Sequence, residues 1–188
     1  MTKQDILEAS AQAFAEKGYH ASSMEDIAQI VGVKKASLYH HVESKQEILV
    51  ELLDQSLDML IKRVGSVVKK NMPYEKKFEL AIKTYMEALI EYRELSSVLL
   101  LEHRSLDEDG LKRHVPRRDM LESLFRGIIE DGIQSGVFND DDSRISVKAV
   151  MGVANWLIMW FRDDGSLTAR EISAMLSNLL LNGLLIRE

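Results

Sequence analysis

A chain of 188 residues with 46% hydrophobic and 29% charged residues has ample material for a packed core, which excludes a disordered chain. The absence of cysteine excludes disulfides and thiolate metal centres, and fits a reducing, cytoplasmic compartment. A formal net charge of -6 excludes a general polyanion binder, so any contact with nucleic acid must come from a local patch or a few placed side chains. With two prolines, ten glycines and long runs at helical spacing, the chain is predicted to be all-α.

The opening residues "MTKQDILEAS" hold no apolar signal-peptide run. Ile6, Leu7, Ala13 and Phe14 mark one face of a first helix, with Gly18 as a left-handed cap. In "SSMEDIAQIVGV", Ser22 followed by Glu25 reads as a capping box for a second helix ending near Ile30. Gly32 supplies a tight turn, and a third helix of barely two turns carries "KKASLYHH". Ser44 with Glu47 is a further capping box and opens a long fourth helix. The small Ala28, the glycine four residues later, and Ile27, Val31, Val33 and Leu38 at buried offsets predict a helix-turn-helix; an ordinary αα-hairpin is the alternative.

The stretch "AFAEKGYHASSMEDIAQIVGVKKASLYHHVESKQEIL" resembles the amino-terminal DNA-binding domain of the tetracycline-repressor (TetR) family, over roughly residues 3 to 50. One departure is Lys34, where the family has a serine or threonine; the lost N-cap costs about 1 kcal/mol. The resemblance implies a DNA-binding domain over residues 1–48 and a helical ligand-binding and dimerisation domain over 49–188, nine helices in all. It also implies that the third helix enters the major groove, with Lys35 and Ser37 at base edges and Lys34, Tyr39 and His40 at phosphate or a thymine methyl. Lys45, beside the free N–H groups of the fourth helix, and Ser22 and Ser23 at the second helix are candidates for backbone phosphates. Tyr39 could instead pack beneath the domain.

After residue 50 the fourth helix runs to about Lys70 and stops near Pro73. A fifth helix, "YEKKFELAIKTYMEALIEYR", carries Phe78, Ile82, Tyr85, Met86, Leu89 and Ile90 on its apolar side, and "LSSVLLLEHR" forms a short sixth. "SLDEDGLKRHVP" reads as a polar connection, followed by a seventh helix from Arg117 to about Ser135. The acidic run "NDDDSR" suits the positive end of an eighth helix and lacks the ligand spacing of a calcium loop. "ISVKAVMGVANWLIMWF" is the nearest approach to a membrane span, but Lys148 and Asn155 interrupt it, so it is expected to be a buried helix. The ninth helix is "TAREISAMLSNLLLNGLL". No phosphate loop, GxSxG or HExxH occurs, and His103 and His114 lack a third ligand, so no catalytic residue, metal or cofactor is expected.

Ile172, Met175, Leu176, Leu179, Leu180, Gly183 and Leu184, with Val150, Val153, Leu157, Ile158 and Phe161, give stripes wider than one core face needs. The family resemblance implies a homodimer through these two helices, reading a palindromic operator; mutual burial within one chain is the alternative. "ANWLIMWFRDDGSL" further resembles TetR-family regulators that respond to acyl-coenzyme A thioesters, with Asp163 where proline is usual. That resemblance implies a small-molecule inducer, with Met86, Leu89, Leu100, Met120, Phe125, Asn155, Trp156 and Met159 around the acyl chain and Arg104, Arg117 and Arg118 at the phosphates. A regulator of an efflux pump, answering a lipophilic cation through Glu87, Glu91 or Glu102, is a second reading. A helical interaction protein without DNA binding is a third.

Overall fold

The computed structural model describes residues 1–139 and 142–185. Among the described residues the chain forms nine α-helices: α1 (Lys3–Lys17), α2 (Met24–Val31), α3 (Lys35–Leu38), α4 (Lys45–Val68), α5 (Tyr74–Glu91), α6 (Arg93–Glu102), α7 (Glu108–Gln134), α8 (Ser143–Trp160) and α9 (Ala169–Leu184), with a 3-10 turn at His103–Ser105. Two compact units contain them, one of Met1–Asp58 with Tyr92–Arg117 and one of Met59–Glu91 with Arg118–Glu188. No helix among the described residues is long and apolar enough to cross a membrane.

In the first unit, local chemistry sets each helix end. The Thr2 hydroxyl accepts from the Asp5 N–H while the Asp5 carboxylate accepts from the Thr2 N–H. Gly18 closes α1 at φ 82° and ψ 155°, a positive φ but not the left-handed helical cap expected, and its N–H still reaches the Phe14 carbonyl. The capping box of α2 is Ser23 with Asp26, one residue later than the expected Ser22 with Glu25. The reason is packing: Ser22 is buried, and its hydroxyl donates to the Ala13 and Gly18 carbonyls at 2.9 and 2.8 Å. Gly32 adopts the left-handed conformation at φ 79° and ψ 31°, and the Val33 N–H turns back to the Ala28 carbonyl. As the departure at Lys34 implies, α3 begins without a side-chain cap. Ile6, Phe14, Ile27, Leu38, Val42, Ile48 and Leu49 close the core beneath these helices, each such side chain contributing about 1.5–3 kcal/mol by burial.

The helix α7 departs most from expectation, starting at Glu108 where a polar connection to residue 116 was anticipated. Asp107 caps it by accepting from the Gly110 N–H at 2.8 Å. Pro116 then removes one helical hydrogen bond inside it. Close packing supports the proline-bearing turn: a Cβ at Gly110 would stand 3.2 Å from Val50 of α4, and the next turns carry ion pairs to α4.

In the second unit α5 packs on α8 and α9. Phe78 meets Phe138 edge-to-face at 5.9 Å, and Tyr85 meets Phe125 likewise at 5.3 Å. The Asn139 N–H donates to the Leu184 carbonyl at 2.7 Å, tying the segment before α8 to the end of α9. Asp142 caps α8, and the Arg144 guanidinium beside it holds its carboxyl down at about 2. The other two aspartates of the acidic run, Asp140 and Asp141, lie outside the described residues. A Thr168–Glu171 capping box opens α9.

Gly132 of α7 has no room for a side chain, because a Cβ there would lie 2.1 Å from the buried Phe138 ring. Gly132→Ala is therefore expected to destabilise the protein by about 1–3 kcal/mol despite the better helix propensity of alanine. Thermal denaturation followed by circular dichroism checks this; an unchanged or raised midpoint contradicts it.

Candidate DNA-binding surface and ligand-binding helices

The surface of the first unit around α2 and α3 carries Ser23, Lys34, Lys35, Tyr39 and His40, all exposed, with Ser37 half-buried. Tyr39 is 49% exposed, so it is a surface ring and not a core one. The Ser23 hydroxyl is already used at the helix start, donating to Asp26 at 2.5 Å. The Lys17 ammonium and the Ser23 hydrogen bonds hold the Asp26 carboxyl far below the usual carboxylate range.

Two expected phosphate ligands are turned inward. Ser22 is buried and committed to carbonyls, as described. Lys45 is half-buried: its ammonium donates to the Ser22 carbonyl and lies 4.2 Å from the centre of the Tyr19 ring and 5.8 Å from that of Phe14. Burial pushes its pKa down. Its chemistry is that of an internal clasp, because the cation gains a carbonyl and two ring faces that a solvated lysine would lack.

The residues expected around an acyl chain separate by depth. In the second unit Met86, Leu89 and Phe125 are fully buried. Tyr85 stands among them, edge-to-face with Phe125, and its hydroxyl donates to Asn155 Oδ1 at 2.6 Å. Desolvation alone raises the Tyr85 pKa, so the group remains a neutral donor. Met120, Trp156 and Met159, expected to line the same slot, are instead 54%, 63% and 49% exposed. Helical spacing puts Trp156 and Met159 on the outer face of α8, away from the buried Val147, Val150, Ala154 and Leu157. In the first unit Leu100 is half-buried, Arg104 is exposed, and Arg117 is paired with Asp54 and Asp58. Arg118 pairs with its neighbour Asp119 at 2.8 Å. The sequence reading missed Asp54, the buried carboxylate at 6% exposure, and Arg113, which contacts it at 2.5 Å. Their i, i+4 spacing from Asp58 and Arg117 was the available signal.

The residues expected to pair two chains also divide. Leu157 and Phe161 are buried within their own unit and present no surface to a partner. Val153, Met175 and Leu179 are exposed, joined on the same helices by Ile145, Trp156 and Trp160, while Leu176 and Leu180 are half-buried. A groove of about 480 Å3 between α8 and α9 is lined by Ile145, Ala149, Val150, Leu179, Leu180, Gly183 and Leu184, among others.

An all-helical chain whose amino-terminal helices form a tight glycine turn with an exposed, lysine-bearing third helix belongs to the helix-turn-helix regulators of transcription, and is not an enzyme. More narrowly, it belongs to the TetR family: the bacterial regulatory proteins of the tetR family match at residues 6–52, and the tetracyclin repressor-like C-terminal domain matches at residues 71–184. The chain is 30% identical over 190 residues to the HTH-type transcriptional repressor KstR2 of Mycobacterium tuberculosis, covering 96% of this chain and 91% of that protein. The structure of that ketosteroid transcriptional regulator aligns with a TM-score of 0.91 at 25% identity, over 98% of this chain and 95% of the other. The fatty acid metabolism regulator protein of Bacillus subtilis is 26% identical over 184 residues, covering 95% of this chain and 93% of it. In fold alone, AibR in complex with isovaleryl coenzyme A and operator DNA is also similar, with a TM-score of 0.89 at 22% identity over 95% and 97% of the two chains.

The inward position of Lys45 changes what its removal does. Lys45→Ala is expected to lower stability by about 1–2 kcal/mol, through loss of a part-buried charge-assisted hydrogen bond and a cation–π contact. Chemical denaturation of the free protein measures this in the absence of DNA. A variant as stable as the parent, weakened only in DNA binding, would return Lys45 to the phosphate backbone.

Proposed function

We propose that the protein is a homodimeric transcriptional repressor that binds a palindromic operator and is released from it by an acyl-coenzyme A thioester. The carrying observation is that the chain has both an exposed recognition surface and an apolar face on α8 and α9 that stays exposed among the described residues. One such DNA-binding unit covers little DNA, whereas two held about 34 Å apart read successive major grooves. Lys35 and Ser37 take the base-edge contacts, and Lys34, Tyr39, His40 and Ser23 the surrounding backbone and methyl contacts.

The acyl ligand is supported by the apolar interior around Met86, Leu89 and Phe125, where Tyr85 and Asn155 supply one polar pair. Among the described residues of the second unit no carboxylate is buried: Glu87 is half-buried and Glu91 is exposed and paired with Arg63. A lipophilic cation would need such a carboxylate, which weighs against the efflux reading. The relatives named for fatty acid and ketosteroid regulation, and the isovaleryl coenzyme A complex of AibR, point the same way. Release requires that the ligand favour a state in which the two recognition helices no longer match successive grooves.

A charge in the outward face tests the dimer. Leu179 is 66% exposed, so Leu179→Glu is expected to leave the fold intact and yield monomers in sedimentation. Operator affinity should fall by about 100-fold or more, because two linked half-sites lose their effective concentration. A dimeric Leu179→Glu protein would place the interface elsewhere.

Operator release by a chain-length series of thioesters, matched free acids and free coenzyme A tests the ligand. Affinity is expected to rise with each methylene, worth about 0.8 kcal/mol when buried, until the slot is full. The free acids should act poorly. Release by a lipophilic cation and by no thioester would favour the efflux reading.

A further inference from the structure

The first unit carries a second surface, opposite in sign to the lysine-bearing one. A groove of about 500 Å3 lies between α1, the end of α2 with the turn after it, and the first turn of α6. Ile30, Val31 and Val33 form its apolar wall, and the carboxylates of Asp5, Glu8 and Glu94 stand along it from two different helices. The spacing of three between Asp5 and Glu8 sets both on one face of α1. Gln12 and Glu16 continue that face, the Gln12 amide donating to Glu16 at 3.0 Å. Among the described residues no lysine, arginine or histidine lines the groove. Glu8 accepts from the neutral Gln4 amide at 3.0 Å, and neither Glu8 nor Glu94 is paired with a cation among those residues.

This pattern selects an occupant. DNA is repelled, because its phosphates would face three carboxylates; the surface changes sign only at Lys34 and Lys35, directly after Val33. A small molecule is poorly served, because such sites bury most of their ligand, whereas Ile30 stays 43% exposed beside the open groove. A helix with an apolar stripe suits a shallow apolar wall, and cations on its flanks suit carboxylates standing on two helices. We propose that this groove docks a basic amphipathic helix of another protein. Its apolar side chains lie against Ile30, Val31 and Val33, and its lysines or arginines meet Asp5, Glu8 and Glu94. The partner thereby holds the DNA-binding unit without touching the side chains of α3, and independently of any inducer.

The test uses the full-length protein without DNA and a labelled, end-capped peptide of leucine and lysine at amphipathic helical spacing, followed by fluorescence anisotropy. The peptide is expected to bind, and to bind more weakly as salt is raised. A counterpart with glutamate at every lysine position should not bind. Glu8→Gln combined with Glu94→Gln keeps both side chains' shape and is expected to weaken binding about tenfold, through loss of two exposed charge pairs. Ile30→Ser should weaken it by about as much through lost apolar contact. Leu179→Glu, in the other unit, should bind like the parent. Undiminished binding by the double glutamine variant overturns the inference, as does equal binding of the glutamate peptide. Loss of binding in Leu179→Glu also overturns it, because the peptide then occupies the apolar face of α8 and α9. Amide shift changes in the isotope-labelled parent need no substitution: they should centre on Ile30, Val31 and Val33, and a centre anywhere else overturns the proposal.

Discussion

The Lys45 ammonium, held between the Ser22 carbonyl and the Tyr19 ring, fixes the first turn of α4 against the connection between α1 and α2. Much else in the first unit depends on it. Ser22 can offer that carbonyl because its own hydroxyl is tied to Ala13 and Gly18, which holds the connection in one conformation. Tyr19 stays in place through an edge contact with Phe14 at 5.2 Å and a hydrogen bond from its hydroxyl to Gln46 at 2.8 Å. The recognition helix α3 is a single turn with no side-chain cap, too short to be stable alone. Its position comes from Leu38, buried in the core, and from the fixed helices on either side.

The second unit is organised by a different constraint, the placing of a few polar groups in an apolar interior. Tyr85 is buried in full, yet its hydroxyl meets Asn155, so no hydrogen bond is lost on folding. Gly132 under Phe138 shows how tightly the neighbouring packing is set.

The outer faces of α8 and α9 complete the description. Ile145, Val153, Trp156, Trp160, Met175 and Leu179 are large, apolar and exposed on two helices of one unit. Isolated exposed hydrophobes need no explanation, but a set of this size on adjoining helices marks an interaction surface. The buried faces of the same helices, with Val147, Val150, Leu157 and Ile172, are satisfied within the unit, so the two stripes serve separate ends.

The amino-acid sequence by itself determined the helices, most of their ends, the glycine turn at Gly32 and the membership of the helix-turn-helix class, because these follow from short-range periodicity and capping. It misplaced the α2 box by one residue, since two adjacent serines offered equivalent hydroxyls and only burial chose between them. It began α7 too late in the chain, since Pro116 argues against a helix locally and the packing of Gly110 on Val50 that supports one lies sixty residues away. Charge type alone could not tell that Lys45 points inward or that Arg117 is already neutralised by Asp54 and Asp58. On α8 the sequence showed an apolar surface all round but could not separate Leu157 from Val153. Only the tertiary structure decided those roles, because what a side chain does depends on which neighbour removes it from water, and those neighbours are distant in the chain.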